Sequence, residues 1–222
     1  MATFDLEQQE QLDQFKHFWK KYGNLITWTL VLVLGAYAAW TGYLYWQQKR
    51  SVAASGLYEE MDRAAEARQT DKVVQAFADL KSGYAGTAFA EQGALLAVKV
   101  AADAQKLDES KAALQWLVDH GKNESLVAVA RLRLAGLQLD AKSYDDALKT
   151  LDAKLPPEFA ALADDRRGDI LLAQGKKDEA AKAFKAAWTA MDEGVEYRRF
   201  IEGKLTSLGQ APSAPQGAAS AP

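Results

Sequence analysis

Two histidines, no cysteine and a few paired charges are all that this chain offers to chemistry. His17 and His120 stand far apart in sequence. His120 precedes Gly121 at an expected helix end, where an imidazole suits the negative pole of the helix dipole and needs no further role. Without Cys or a His-x-x-x-His pair, a zinc site is not expected. Neither GxGxxG nor GxxxxGK(S/T) occurs, so no phosphate loop is expected. Asp145-Asp146 and Asp164-Asp165 are the candidate carboxylate dyads, but both are expected in turns or first turns, where acids favour helix starts. Arg166-Arg167 and Arg198-Arg199 suggest an anion site, yet a net charge of −3 argues against nucleic acid as a main partner. No catalytic residue, metal or cofactor is expected. The residues read as a binding module rather than an enzyme.

The element that must position such a module is a charge-free run from Tyr22 to Gln48, bracketed by Lys20-Lys21 and Lys49-Arg50. Its apolar heart, Leu25 to Trp46, extends about 33 Å as a helix at 1.5 Å per residue. That matches a hydrocarbon slab about 30 Å thick with modest tilt. Trp19, Tyr22 and Trp28 gather at one end, and Trp40, Tyr43, Tyr45 and Trp46 at the other, as interfacial rings do. A buried core helix of this length rarely excludes every charge, so residues 22–48 are expected to cross a membrane.

The run is too long and starts too late for a cleaved signal. Ser51 to Ser55 faintly resembles a cleavage site, but Gln47-Gln48-Lys49-Arg50 separates it from the apolar run. An uncleaved signal anchor is expected. Lys16, Lys20 and Lys21 on one side balance Lys49, Arg50 and Arg63 on the other, so charge alone barely decides orientation. A short segment 1–21 before the span and a long domain after it suit an exported bulk. The lack of cysteine is compatible with an oxidising compartment.

Residues 51–208 are rich in Ala, Leu, Lys, Asp and Glu, with apolar positions at helical spacing, as in Leu126, Val129, Ala130, Leu132, Leu134 and Leu137. Turn signals at Gly83–Gly86, Lys106–Asp108, His120–Asn123, Asp140–Ser143, Pro156-Pro157, Gln174-Gly175 and Gly194 divide the tract into about nine helices of about 10–18 residues. A period runs through it. Ala113, Ala147 and Ala180 are 34 and 33 residues apart. Four residues after each comes Leu117, Leu151 or Phe184, and twelve before each comes Ala101, Ala135 or Gly168. These positions resemble the tetratricopeptide repeat, a helix–turn–helix unit of about 34 residues. Small residues let paired helices approach, and the bulky residue fills the gap to the next pair. Tyr144 to Ala147 and Lys177 to Ala180 look like turns opening second helices, and Gly175 matches the turn glycine. The repeat's first-helix Trp and Tyr are not kept. Three fair repeats and a degenerate first one, around Ala76 and Leu80, are expected. The fold class is therefore all-α, one transmembrane helix followed by a tetratricopeptide-like solenoid.

In that register the first helices turn Leu95, Val98, Val129, Leu132, Leu139, Leu162 and Leu172 towards a concave groove. Positions where charged-peptide binders of this class hold Lys, Arg or Asn carry Val98, Leu132 and Asp165, and Ala102, Gly136 and Asp169. A clamp for an acidic peptide terminus is not expected; an apolar groove for an amphipathic or hydrophobic segment is. Within the span, Gly35, Ala38, Ala39 and Gly42 form a small-residue face suited to lateral helix packing in lipid. Residues 209–222, GQAPSAPQGAASAP, hold no large apolar residue and are expected to be a disordered tail.

Further residues carry a family resemblance. Glu10-Gln11-Leu12, Lys16, Trp19, Lys20 and Gly23 precede the span, Tyr45-Trp46 closes it, and Ala53, Ala54, Leu57-Tyr58 and Met61 lead into the helices. With the degenerate repeat domain behind them, they resemble the YfgM-type ancillary subunits of the bacterial SecYEG translocon. The resemblance implies a single-pass inner-membrane protein with a cytoplasmic N-terminus and a periplasmic repeat domain. It also implies association with the translocon and with a membrane-anchored periplasmic chaperone of the parvulin-isomerase type, PpiD. The role so implied is to help hand emerging secreted proteins to periplasmic chaperones. A membrane-tethered scaffold for another envelope assembly machine is the alternative.

Overall fold

A computed structural model of the chain describes residues 3–211, with side chains from residue 15 onward. The tail expected over 209–222 lies, from residue 212, outside the described residues. The chain divides into two compact units at Val52/Ala53. Helix α1 runs Thr3–Glu66. In the first unit every large apolar side chain from Leu25 to Trp46 is exposed, Leu32 by 73%. Apolar surface of that extent on a helix long enough to cross a bilayer marks a candidate membrane span. Its threonine hydroxyls are met within the helix. Thr27, Thr29 and Thr41 donate their hydroxyls to the carbonyls of Gly23, Leu25 and Tyr37, four residues back. At the flanks, Lys49 lies over the Tyr45 ring and Arg50 over Trp46 at 4.8 and 4.6 Å, cations resting on interfacial rings.

The second unit is a row of helix pairs. The stretch of α1 from Ala54 packs with α2, Thr70–Tyr84. Then come α3, Ala88–Asp103, with α4, Leu107–His120; α5, Glu124–Asp140, with α6, Tyr144–Leu151; and α7, Ala160–Ala173, with α8, Lys177–Ala190. A last helix, α9, Tyr197–Ser207, closes the row against α8. No strand occurs among the described residues. All nine positions that define the sequence period are buried: Ala101, Ala135 and Gly168 in first helices, Ala113, Ala147 and Ala180 in second helices, and Leu117, Leu151 and Phe184 one turn on. Gly168 shows why the first set must be small. A Cβ there would stand 2.5 Å from the Phe184 ring.

The turns inside the pairs are one device used four times. Arg68, Gln105, Lys142 and Gly175 all adopt positive φ, between 54° and 78°. After each, the next residue's N–H reaches back to a carbonyl five residues earlier: Gln69 to Ala64, Lys106 to Ala101, Ser143 to Gln138 and Lys176 to Leu171, at 2.8–2.9 Å. This is the Schellman closure, which satisfies helix-end carbonyls and normally prefers glycine at the left-handed residue. Only the last of the four has it. A left-handed non-glycine costs about 1–2 kcal/mol, partly offset by glycine's greater freedom in the unfolded chain. Lys142→Gly is therefore expected to stabilise the domain by about 0.5 kcal/mol, measured as a higher urea midpoint at unchanged slope.

Between pairs the connections differ. Thr87 caps α3 by accepting from the Ala90 N–H, and Asn123 caps α5 by accepting from Ser125 and Leu126. Glu91, 6% exposed, spans the α4–α5 turn, its carboxylate accepting from the backbone N–H groups of Lys122 and Asn123 at 2.6 and 3.4 Å. Glu91→Ala strands two backbone donors and is expected to cost about 2 kcal/mol, whereas Glu91→Gln, keeping an acceptor, costs about half that. Hydrogen exchange at Lys122 and Asn123 reads the difference. Helix α6 has eight residues, shorter than the expected range. Pro156-Pro157 disfavours helix ahead of it and removes two donors. Arg167 holds the resulting link, donating to the Leu151 carbonyl at 3.4 Å and pairing with Asp152 at 3.5 Å.

Candidate partner-binding cleft

The first helices α3, α5 and α7 border a cleft of about 440 Å3. Its floor is Val98, Ala102, Gly136 and Leu137, with Ser110 and Leu114 from α4 behind them. Over this floor stand Lys99, Arg133 and Arg166, while Asp103 and Asp140 lie at the C-terminal ends of α3 and α5. At 3.6 residues per turn, Val129, Gly136 and Asp140 share the face of Arg133. Arg166 lies against Gly136: a Cβ on it would stand in ordinary contact, 3.7 Å from the guanidinium carbon.

Of the expected groove residues, the structure brings Val98 to this cleft, 5% exposed. Val129 is half-buried on the same side of α5. Leu95 packs partly buried against the core formed by α2–α4. Leu132 and Leu139 pack against Ala135, Ala147, Leu151 and Ile170, and Leu172 against the core around Phe184. Leu162 is 37% exposed on α7. Lys99, Arg133 and Arg166 are not among the groove residues expected from the sequence, although their spacings of 34 and 33 residues equal the repeat. They follow Val98, Leu132 and Asp165 by one position, so a register shifted by one residue would have found them. In the span, Gly35, Ala38, Ala39 and Gly42 share one exposed face, and a Cβ at either glycine would meet nothing within 4 Å.

The carboxylate pairs have structural surroundings. Asp145 and Asp146 lie in the first turn of α6. Asp165 lies in the second turn of α7, not at its start, and is 3% exposed. It accepts from the Tyr197 hydroxyl and the Lys204 ammonium of α9, each at 2.8 Å, and Lys204 also reaches Asp169 at 2.7 Å. Burial pushes the Asp169 carboxyl above its ordinary value, and the nearby Asp165 charge adds to this against the pull of Lys204. Burial alone would lower Lys204, but its hydrogen bonds to both carboxylates hold the ammonium above the usual lysine range. Tyr197 is likewise raised, by burial and then by Asp165. This network fastens the closing helix to the last pair.

His120 stacks on Trp116, with its ring nitrogen 3.0 Å from the Trp116 carbonyl, and His17 is exposed. Among the described residues no three His, Asp or Glu side chains are grouped to hold a metal ion.

The arrangement is a solenoid surface, and the comparisons agree. The family model of a tetratricopeptide repeat-like domain matches residues 16–210. An ancillary SecYEG translocon subunit of Neisseria gonorrhoeae is 31% identical over 207 residues, covering 91% of this chain and 98% of that protein. The ancillary SecYEG translocon subunit of Escherichia coli is 30% identical over 185 residues, 81% of this chain and 86% of that protein. Its counterpart in Haemophilus influenzae is 26% identical over 191 residues, 83% and 90% of the two chains. No solved structure matches. A repeat domain spanning the family model, behind a candidate membrane helix and alignable with nearly the whole of a named relative, fixes the assignment: the chain belongs to the family of ancillary SecYEG translocon subunits.

Proposed function

We propose that the chain is a non-enzymatic accessory subunit of the SecYEG protein-export translocon. Residues 22–48 anchor it in the inner membrane, with 1–21 cytoplasmic and the repeat domain 51–208 periplasmic. The face Gly35, Ala38, Ala39 and Gly42 packs beside the translocon in lipid, where small residues allow close helix approach. The concave side of α3, α5 and α7 is the partner-binding groove, used by emerging client proteins or by a PpiD-type membrane-anchored chaperone. Leu95, Val98, Val129, Leu132, Leu139, Leu162 and Leu172 supply its apolar surface and the packing beneath it. The observation that carries this reading is the alignment with the Neisseria translocon subunit, which reaches from the apolar helix through the repeat domain. The pairing of buried Asp165 with Lys204 and Tyr197 of α9, and of Glu91 with backbone N–H groups, supports a structural rather than a catalytic role for the domain's two buried carboxylates.

The test is affinity purification of the full chain from native membranes in mild detergent. Translocon subunits and a PpiD-type chaperone are expected in the eluate. Recovery of a different envelope assembly machine, with the translocon absent, sinks the proposal in favour of a scaffold for that machine.

A further inference from the structure

We infer that the cleft between α3, α5 and α7 takes an acidic amphipathic segment of a partner protein, its carboxylates against Lys99, Arg133 and Arg166 and its apolar side on Val98, Gly136 and Leu137. The inference rests on the concave side being the partner-binding face and adds the chemistry of the partner. One cation comes from each first helix, at spacings of 34 and 33 residues, so the repeat itself aligns them along the cleft. Like charges side by side on one surface repel, and an anion bound among them relieves that repulsion. The molecule itself supplies little relief. Among the described residues neither Lys99 nor Arg133 makes an ion pair or hydrogen bond, and both are exposed. Arg166 reaches only Asp169, at 3.9 Å, and Asp169 has a closer cation in Lys204 at 2.7 Å. A guanidinium with most of its donors unused is well shaped for a carboxylate.

The remaining acids orient the occupant. Asp103 and Asp140 are the last residues of α3 and α5, one and two turns beyond Lys99 and Arg133, so they form a lip and not part of the cationic row. A segment with an acidic edge fits with that edge over the row and away from the lip. The floor between is apolar, and the Arg166 guanidinium lies over it beside Gly136. An apolar floor beneath charges suits the two faces of an amphipathic helix. The acidic lip and the net charge of −3 disfavour nucleic acid.

The experiment is fluorescence anisotropy with a labelled amphipathic peptide of Leu and Glu, and its Leu and Lys counterpart, against the full chain in zwitterionic nanodiscs. The acidic peptide binds and the basic one does not, and binding weakens with salt. Combining Lys99→Glu, Arg133→Glu and Arg166→Glu weakens the acidic peptide by at least about tenfold, since like charges now face each other. Combining Lys111→Glu, Lys149→Glu and Lys182→Glu, exposed positions on second helices, makes the same change in net charge and alters affinity by less than about twofold. Circular dichroism verifies that both triple variants are folded. Equal loss in both variants, or equal uptake of the basic peptide, overturns the inference. So does selective loss of binding to anionic-lipid vesicles with the peptide unaffected, which assigns the row to a membrane surface. Translocon recovery with the wild-type chain is scored separately: success there with failure here leaves the proposed function standing without this partner chemistry.

Discussion

Phe184→Ala is expected to destabilise the last helix pair by about 4 kcal/mol, and Gly168→Ala by about 2 kcal/mol, yet the two together should cost no more than the first alone. Phe184 is fully buried, and its ring fills the space that the missing side chain of Gly168 leaves on the facing helix. Removing the ring opens a cavity that α7 and α8 cannot collapse into without losing their neighbours. Adding a methyl at Gly168 places it 2.5 Å from two ring carbons and 2.9 Å from a third, so the ring or the helix must move. Without the ring, the same methyl meets open space and removes a glycine from a helix interior, a gain of about 1 kcal/mol. Gly168→Ala should therefore change sign in the Phe184→Ala background. Because a repeat array opens locally, hydrogen exchange of the α7 and α8 amides in the full chain is the reading to take. Additive costs would mean that the two residues do not face each other and that α7 and α8 pair in another register.

Lys204→Met should cost about 3 kcal/mol near neutral pH, because it leaves the buried Asp165 carboxylate beside half-buried Asp169 without the cation they share. The pH dependence gives the prediction its sign. In the wild-type protein Lys204 is held above its ordinary value, so its contribution is fully present below the unfolded lysine value and is lost as pH rises through the higher folded value. Asp169 is also raised, so the folded state binds its proton more tightly than the unfolded state does. Acidification into the carboxylate range then favours the folded form at this group. In Lys204→Met that effect grows, and the deficit should shrink as pH falls towards 4. A deficit independent of pH would point to loss of the lysine ammonium over the Phe184 ring, whose centroid Nζ approaches at 5.0 Å. Exchange protection in α9, compared across pH, separates the two outcomes.

The parts of the fold legible in the sequence were those written in local patterns. The charge-free run announces itself by composition, and the small and bulky positions of the repeat by a period that survives from residue 101 to residue 184. Of the four turns inside the pairs, those near Gln105, Lys142 and Gly175 are marked by turn residues and the one at Arg68 is not; Gly175 is legible as a left-handed position, whereas Arg68, Gln105 and Lys142 occupy a conformation that a sequence assigns to glycine. Helix α6 came out longer than it is because the influence of Pro156-Pro157 extends back to Asp152. The cleft was harder. On a solenoid helix a one-residue shift rotates the face by about 100°, enough to exchange Arg133 for Leu132. Nothing local distinguishes a leucine half-buried against the next pair from one that lines a groove. The Asp165 network was out of reach, since its partners lie 32 and 39 residues away on a helix whose docking depends on the tertiary fold.

The central claim, that this chain is a working subunit of the translocon, is tested most directly by photocrosslinking in native membranes. A photoreactive residue placed in turn at Gly35, Ala38 and Gly42 should give adducts with translocon subunits, while the same probe at Val33, on the opposite side of the helix, should give few. Adducts with an unrelated envelope machine, or none with the translocon from any span position or from the cleft, would contradict it.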